Sequence, residues 1–343
     1  MNNFRSEVLF QHNAQDVYLY TLRNIWGVEV TVSNFGAIIR SFNVPDRDGI
    51  PTDIVLGYDK MEAYLKGNQA YLGAMVGRYA NRIGNASFEL DGELYKLSSN
   101  LTPHQIHGGE EGFDRKAWKP VSEENVPFQR VQMSYLSPDG EEGFPGNLTV
   151  NVCFELDDTN TLTIYTEASS DKPTPLNLTH HDYFNLNGDN SIMDHRVEIF
   201  SDFYLGQDAD YVANGELLPV EGTVYDFRRS KRISADQDPE EGYDQSFVIN
   251  KDYCAWGRAA VAISDQNGIM LEVFTDEPTV HFYTGKYLEV KGAKDGRYYL
   301  PFTGFCFETQ HHTNALNIPG FPSTILRPGE LYRHKTSYRI SAV

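Results

Sequence analysis

The chain has 343 residues, with 29 Lys and Arg against 48 Asp and Glu, a formal net charge of −19 at pH 7. That balance argues against nucleic acid or an anionic membrane as the main partner, because both reward a basic face. Hydrophobic residues at 40% and charged residues at 22% exclude a disordered chain, and 20 Phe, 21 Tyr and 3 Trp suffice for a large core with aromatic rings left for a binding surface.

Along the chain, Met1 to Glu7 contain no apolar signal core, and no run of eighteen apolar residues follows. Asp59 to Leu65 reads as a turn or two of helix, the best helical signal present. Phe88, Leu90, Asp91-Gly92, Leu94 and Leu97 read as a hairpin, since Asp-Gly accepts the positive φ of a type I′ turn. Leu148 to Leu156 alternates apolar and polar residues, the pattern of a half-buried strand. Asp157 to Asn160 then turns the chain, and Leu162, Ile164 and Tyr165 resume an extended run. Asp236 to Glu241 reads as an acidic, solvated loop. Val261 and Ile263, the turn Gln266-Asn267-Gly268, then Ile269, Leu271 and Val273 form a further hairpin. Short strands with frequent turn signals predict an all-β sandwich or barrel, a single domain over residues 1–343. Cys153, Cys254 and Cys306 are odd in number, far apart and outside any C-x-x-C pair, so neither a disulfide framework nor a zinc knot is expected. A cytoplasmic protein is the expectation.

Three segments carry polar residues where strands or loops do not ordinarily want them. Gly77-Arg78-Tyr79-Ala80-Asn81-Arg82-Ile83-Gly84, with Ile106-His107-Gly108-Gly109, is either a ligand-facing loop or a loop with a capping Asn and two solvated arginines. In Pro175 to Leu186 the pair His180-His181 points to opposite faces of a strand, one apolar and one open to a cleft, so the two do not readily chelate one metal. Each is equally a hydrogen-bonded structural histidine when taken alone. In Phe305 to His312, Glu308 follows three core-like residues and stands at the end of a buried strand, where a carboxylate is paired, neutralised or functional. His311-His312 suggest a metal, but no third ligand has convincing spacing. Asp244, in Gly242-Tyr243-Asp244, is a weaker signal. Hydroxyls pair with Arg, His and carboxylates while sugar faces stack on aromatic rings, which makes a sugar the natural ligand.

These segments, joined in order by Ser137-Pro138-Asp139-Gly140 to Gly146, Asn177-Leu178-Thr179-His180-His181, Gly242-Tyr243-Asp244, Phe282-Tyr283-Thr284-Gly285, Glu308-Thr309-Gln310 and Leu326-Arg327-Pro328-Gly329-Glu330, resemble the aldose 1-epimerase (galactose mutarotase) family over nearly the whole chain. The resemblance implies a large antiparallel β-sandwich with an open sugar-binding cleft, no cofactor and no metal, and interconversion of the α and β anomers of free hexoses such as D-galactose and D-glucose by a monomer or homodimer. It places His181 as catalytic acid and Glu308 as base. It puts Asn81, Arg82, His107, Tyr183, Asp244 and His281 around the substrate. The chain departs from the family pattern at His180, usually Asn, and at His281, commonly Gln; both bear on which sugar is preferred. Three other functions remain on the sequence. A glycoside hydrolase needs two carboxylates about one bond. A hexose-phosphate 1-epimerase needs added cations, and a non-catalytic carbohydrate-binding module has no use for a His/Glu proton-transfer pair.

Overall fold

Alternation decides which side of each strand is buried. In Leu148–Leu156, Leu148, Val150, Val152 and Phe154 are fully enclosed while Thr149, Asn151 and Cys153 are partly solvated. The structure is a computed structural model that describes residues 5–124, 128–236 and 240–343. The middle of the acidic stretch Asp236 to Glu241 lies outside the described residues. The hairpin read at Asp91-Gly92 forms between Ser87–Leu90 and Glu93–Lys96, with positive φ at both turn residues. The second joins Gly257–Ile263 to Ile269–Thr275. The helical signal becomes one short helix, Met61–Leu65.

Among the described residues, two large antiparallel sheets dominate. One has nine strands, and Tyr332–Ala342 at the C-terminus lies in its middle between Thr161–Ser170 and Ile269–Thr275. The other has six, ordered Tyr183–Phe184, Phe305–Gln310, Thr279–Tyr283, Asp244–Ile249, Ser201–Gln207 and Ala213–Pro219. A five-stranded sheet from Arg5–His12 to Pro51–Asp53 precedes them. The all-β sandwich expected from the sequence is what the chain forms. No helix among the described residues is long and apolar enough to cross a membrane.

The six-stranded sheet separates core from cleft through its pleat. Phe305 and Phe307 turn to the interior, their ring centroids 5.2 Å apart, and Phe282 joins them at 5.3 Å from Phe307. Cys306 and Glu308 alternate with them and face the other way. Glu308 is not at the strand end, as the sequence suggested. Phe305–Gln310 runs two residues beyond it and is buried throughout, with Cys306–Gln310 paired to Thr279–Tyr283 and Phe305 to Phe184.

The two arginines of Gly77 to Gly84 are buried, not solvated. Arg78 spends its guanidinium on the 137–146 loop. It donates from Nε to Ser137 Oγ at 2.8 Å, and from Nη1 and Nη2 to the carbonyls of Pro145, Ser137, Pro138 and Gly146 at 2.8 to 2.9 Å. Burial lowers its pKa to about 10, against the pull of Glu141. The three cysteines are free thiols.

Candidate active site

On the outer face of the six-stranded sheet lies a cleft of about 1030 Å³, and it gathers all eight residues singled out from the sequence: Asn81, Arg82, His107, His181, Tyr183, Asp244, His281 and Glu308. Residues far apart in the chain meet here through strand register. Tyr183 pairs with Cys306, His281 with Glu308, and Asp244 with Tyr283. His181 enters from the short strand Thr179–His181, which pairs with Ala74–Val76.

At the floor, His181 Nε2 stands 3.5 Å from Glu308 Oε1, both side chains almost wholly enclosed. Glu308 Oε2 is buried with no hydrogen-bond partner among the described residues. A buried carboxylate oxygen without a protein partner is costly unless a ligand hydroxyl or solvent satisfies it, and Glu308 lines the cleft. His181 Nδ1 is 3.5 Å from the Cys306 sulfur, which fixes the ring from behind. Burial, then the charge of Glu308, pushes the Cys306 thiol far up, so it remains a thiol. Its neighbour His180 points the other way. It bridges the Asp182 carboxylate at 2.8 Å and the Ala37 carbonyl at 3.0 Å beside Phe154, as opposite faces of one strand require.

The near wall is built by a short ladder that pairs Arg82 with Ile106 and brings the two glycine-flanked loops together. Asn81 N–H donates to His107 Nδ1 at 3.3 Å, and Asn81 Oδ1 accepts the Arg82 N–H at 2.8 Å. Burial, followed by the charges of His181 and Arg82, depresses the His107 pKa well below its ordinary value. A neutral ring whose Nδ1 accepts carries its proton on Nε2, which makes His107 a donor. Gly108 makes the approach possible: at φ +87°, a Cβ there would sit 1.9 Å from the Gly77 carbonyl oxygen.

On the far wall, His281 is pinned on both nitrogens, Nε2 to Asp244 Oδ1 and Nδ1 to Ser246 Oγ, each at 2.8 Å. Burial works against charging His281, but the Asp244 hydrogen bond and the nearby Glu308 carboxylate outweigh it and raise its pKa. Burial likewise opposes ionisation of Asp244, and the His281 contact prevails, so its pKa falls. The two form a buried ion pair. His281 thus lines the cleft with no ring nitrogen left over, and its influence on a ligand passes through Asp244.

Sequence reasoning missed Tyr71 and Cys306. The Tyr71 ring lies 4.7 Å from His107 and stacks on His181 at 6.0 Å. Cys306 was legible in principle, since it sits two residues before Glu308 in one strand and so shares its face. One ligand-capable atom from each of His107, His181 and Glu308 also lies within 4.8 Å of the others. The proton on His107 Nε2 suits hydrogen-bond donation rather than coordination.

Fold and cleft together define a class: a β-sandwich protein with an open cleft on its six-stranded sheet, lined by histidines, carboxylates and tyrosines. The aldose 1-epimerase profile matches residues 18–339. A galactose mutarotase from Homo sapiens is 41% identical over 324 residues, covering 92% of this chain and 91% of its own, and an aldose 1-epimerase from Escherichia coli K12 is 36% identical over 339 residues, 96% and 97% of the two chains. A crystal structure of an aldose epimerase homologue from C. elegans superposes with a TM-score of 0.89 at 32% identity, covering 95% of this chain and 99% of that one. The chain belongs to the aldose 1-epimerase family.

Proposed function

We propose that the protein interconverts the α and β anomers of free hexoses, D-galactose and D-glucose among them, with Glu308 as base and His181 as acid. The observation that carries this reading is the enclosed His181–Glu308 pair at 3.5 Å. Ring opening needs a proton taken from the C1 hydroxyl and another given to the ring oxygen. Both oxygens are bonded to C1, so acid and base must converge on adjacent atoms. Glu308 takes the first proton and His181 delivers the second, leaving an open-chain aldehyde. Rotation about C1–C2 presents the other carbonyl face. On closure the roles reverse: His181 recovers the proton of the attacking hydroxyl and Glu308 returns one to O1. Arg82, Asn81, His107 and Asp244 hold the remaining hydroxyls, so that only the C1 end turns. Proton-transfer groups supply roughly 10²–10⁴-fold each, enough for a reaction that already proceeds in water.

A free sugar suits the cleft better than a sugar phosphate. With His181 as acid and His281 charged, its lining sets Arg82, Lys291 and these two histidines against Asp210, Asp244, Glu289 and Glu308, a balance with no surplus of cations to hold a dianion. Polarimetry on freshly dissolved α-D-galactose and α-D-glucose, in EDTA at neutral pH, tests the reading. The expected result is faster relaxation to an unchanged final rotation. An unaltered rate on both sugars defeats it.

A further inference from the structure

The histidine pair at the end of the Glu308 strand lacks a third metal ligand in the sequence; the fold supplies two more candidates. Among the described residues, one ligand-capable atom from each of Cys254, His311 and His334 lies within 4.8 Å of the others. Cys254 comes from the turn before Gly257–Ile263, His311 directly follows Phe305–Gln310, and His334 lies near the start of Tyr332–Ala342. Behind them is a carboxylate layer. Glu277, 2% exposed, has Oε2 at 2.7 Å from His311 Nδ1 and Oε1 at 3.4 Å from His334 Nδ1; Asp276 Oδ1 is 3.1 Å from His334 Nδ1. Tyr332 OH donates to Glu277 Oε1 at 3.0 Å. His311 Nδ1 and Glu277 Oε2, in contact at 2.7 Å, are both buried.

We propose that Cys254, His311 and His334 form a second site, outside the sugar cleft, that binds a divalent zinc-like cation, with Glu277 and Asp276 orienting the histidines. One sulfur and two imidazole nitrogens favour zinc over the hard cations that want oxygen cages. Bond lengths of 2.0–2.3 Å set ligand atoms roughly 3.3–3.8 Å apart around a tetrahedral ion, so atoms already within 4.8 Å of one another need close by at most about 1.5 Å. Carboxylates against ligating histidines are the usual outer layer of such sites. Solvent fills the fourth position, since Cys254 and His334 are only half-buried. His334 and Asp276 also line a surface cavity of about 350 Å³. The ion clasps three segments to one another, among them the strand that carries Glu308.

The test uses the full chain, stripped with chelator and titrated with Co²⁺ and Zn²⁺. One equivalent of Co²⁺ is expected to give a near-ultraviolet thiolate-to-metal absorption that Cys254→Ser abolishes and Cys153→Ser and Cys306→Ser keep. Zn²⁺ is expected to compete it away, and Glu277→Gln to weaken binding by about 10–100-fold, as loss of an outer carboxylate does. A measurement without variants is protection of Cys254 from iodoacetamide by Zn²⁺, mapped by mass spectrometry. No thiolate band in the unaltered protein, a band that survives Cys254→Ser, or alkylation of Cys254 indifferent to Zn²⁺ each overturns the proposal.

Discussion

His281 stands directly opposite Glu308 in the ladder between Thr279–Tyr283 and Phe305–Gln310, and its Nε2 holds Asp244 at 2.8 Å. Opposed residues of an antiparallel pair project from the same face. One cross-strand pair therefore carries both the proposed base and the partner of the Asp244 carboxylate in the cleft. Where the family pattern commonly has Gln, this chain has a titratable link.

The link has a pH signature. Asp244 is shifted below its ordinary 3.8, so its contribution to stability is present above that value and fades as pH falls through the lowered pKa. His281 is shifted above 6.5, so its contribution is complete below that value and is lost as pH rises through the raised pKa. The window of greatest effect is thus 3.8 to 6.5. His281→Gln is expected to lower stability by about 2 kcal/mol in that window, the value of a hydrogen bond to a charged group, and by less in alkali. Thermal melts of both proteins across pH check this. A difference that does not change with pH removes the ion pair from the account.

Glu308→Gln keeps the shape of the side chain and removes its basicity. The expected loss is about 10²–10⁴-fold in kcat with KM little changed, because the amide still accepts and donates hydrogen bonds within the cleft. His181→Gln is expected to act in the same way. Initial rates by polarimetry, corrected for the spontaneous reaction, decide the point; near-full activity in Glu308→Gln assigns the proton transfer elsewhere.

Much of this site was legible because a pleated strand writes its two faces into alternate residues. Phe305 and Phe307 against Cys306 and Glu308, and His180 against His181, divide as period two requires. What was hidden depends on register and on main-chain partners. Arg78 looked solvated because the oxygens it binds are mostly carbonyls of residues 137–146, and carbonyls leave no mark in a sequence. The meeting of Cys254, His311 and His334 is likewise set by which strands lie together, not by spacing along the chain.

Arg78 offers a stability test remote from the chemistry. Lys in its place keeps the charge but has no planar fork to reach four carbonyls and two hydroxyls, Ser137 Oγ and Thr174 Oγ1, together. Arg78→Lys is expected to cost about 3 kcal/mol, since several buried acceptors lose their donors at once. Urea denaturation measures it. A midpoint within error of the parent protein shows that the 137–146 loop holds itself.

Gly108 couples backbone shape to the sugar wall most directly. At φ +87°, an added Cβ meets the Gly77 carbonyl oxygen at 1.9 Å and its carbon at 2.4 Å, so Gly108→Ala cannot be absorbed by a side-chain rotation. The neighbouring His107 must move, and with it the Nε2 donor that faces the cleft. The proposed mechanism gives His107 hydroxyls to hold and not the C1 proton to move, so the damage is expected mainly in KM, with kcat reduced less. Stability should drop as well, since the same carbonyl accepts the Phe113 N–H at 3.2 Å. Steady-state kinetics beside a thermal melt separate the two effects. A variant with parental KM and Tm shows that the loops pass each other with more room than this contact allows.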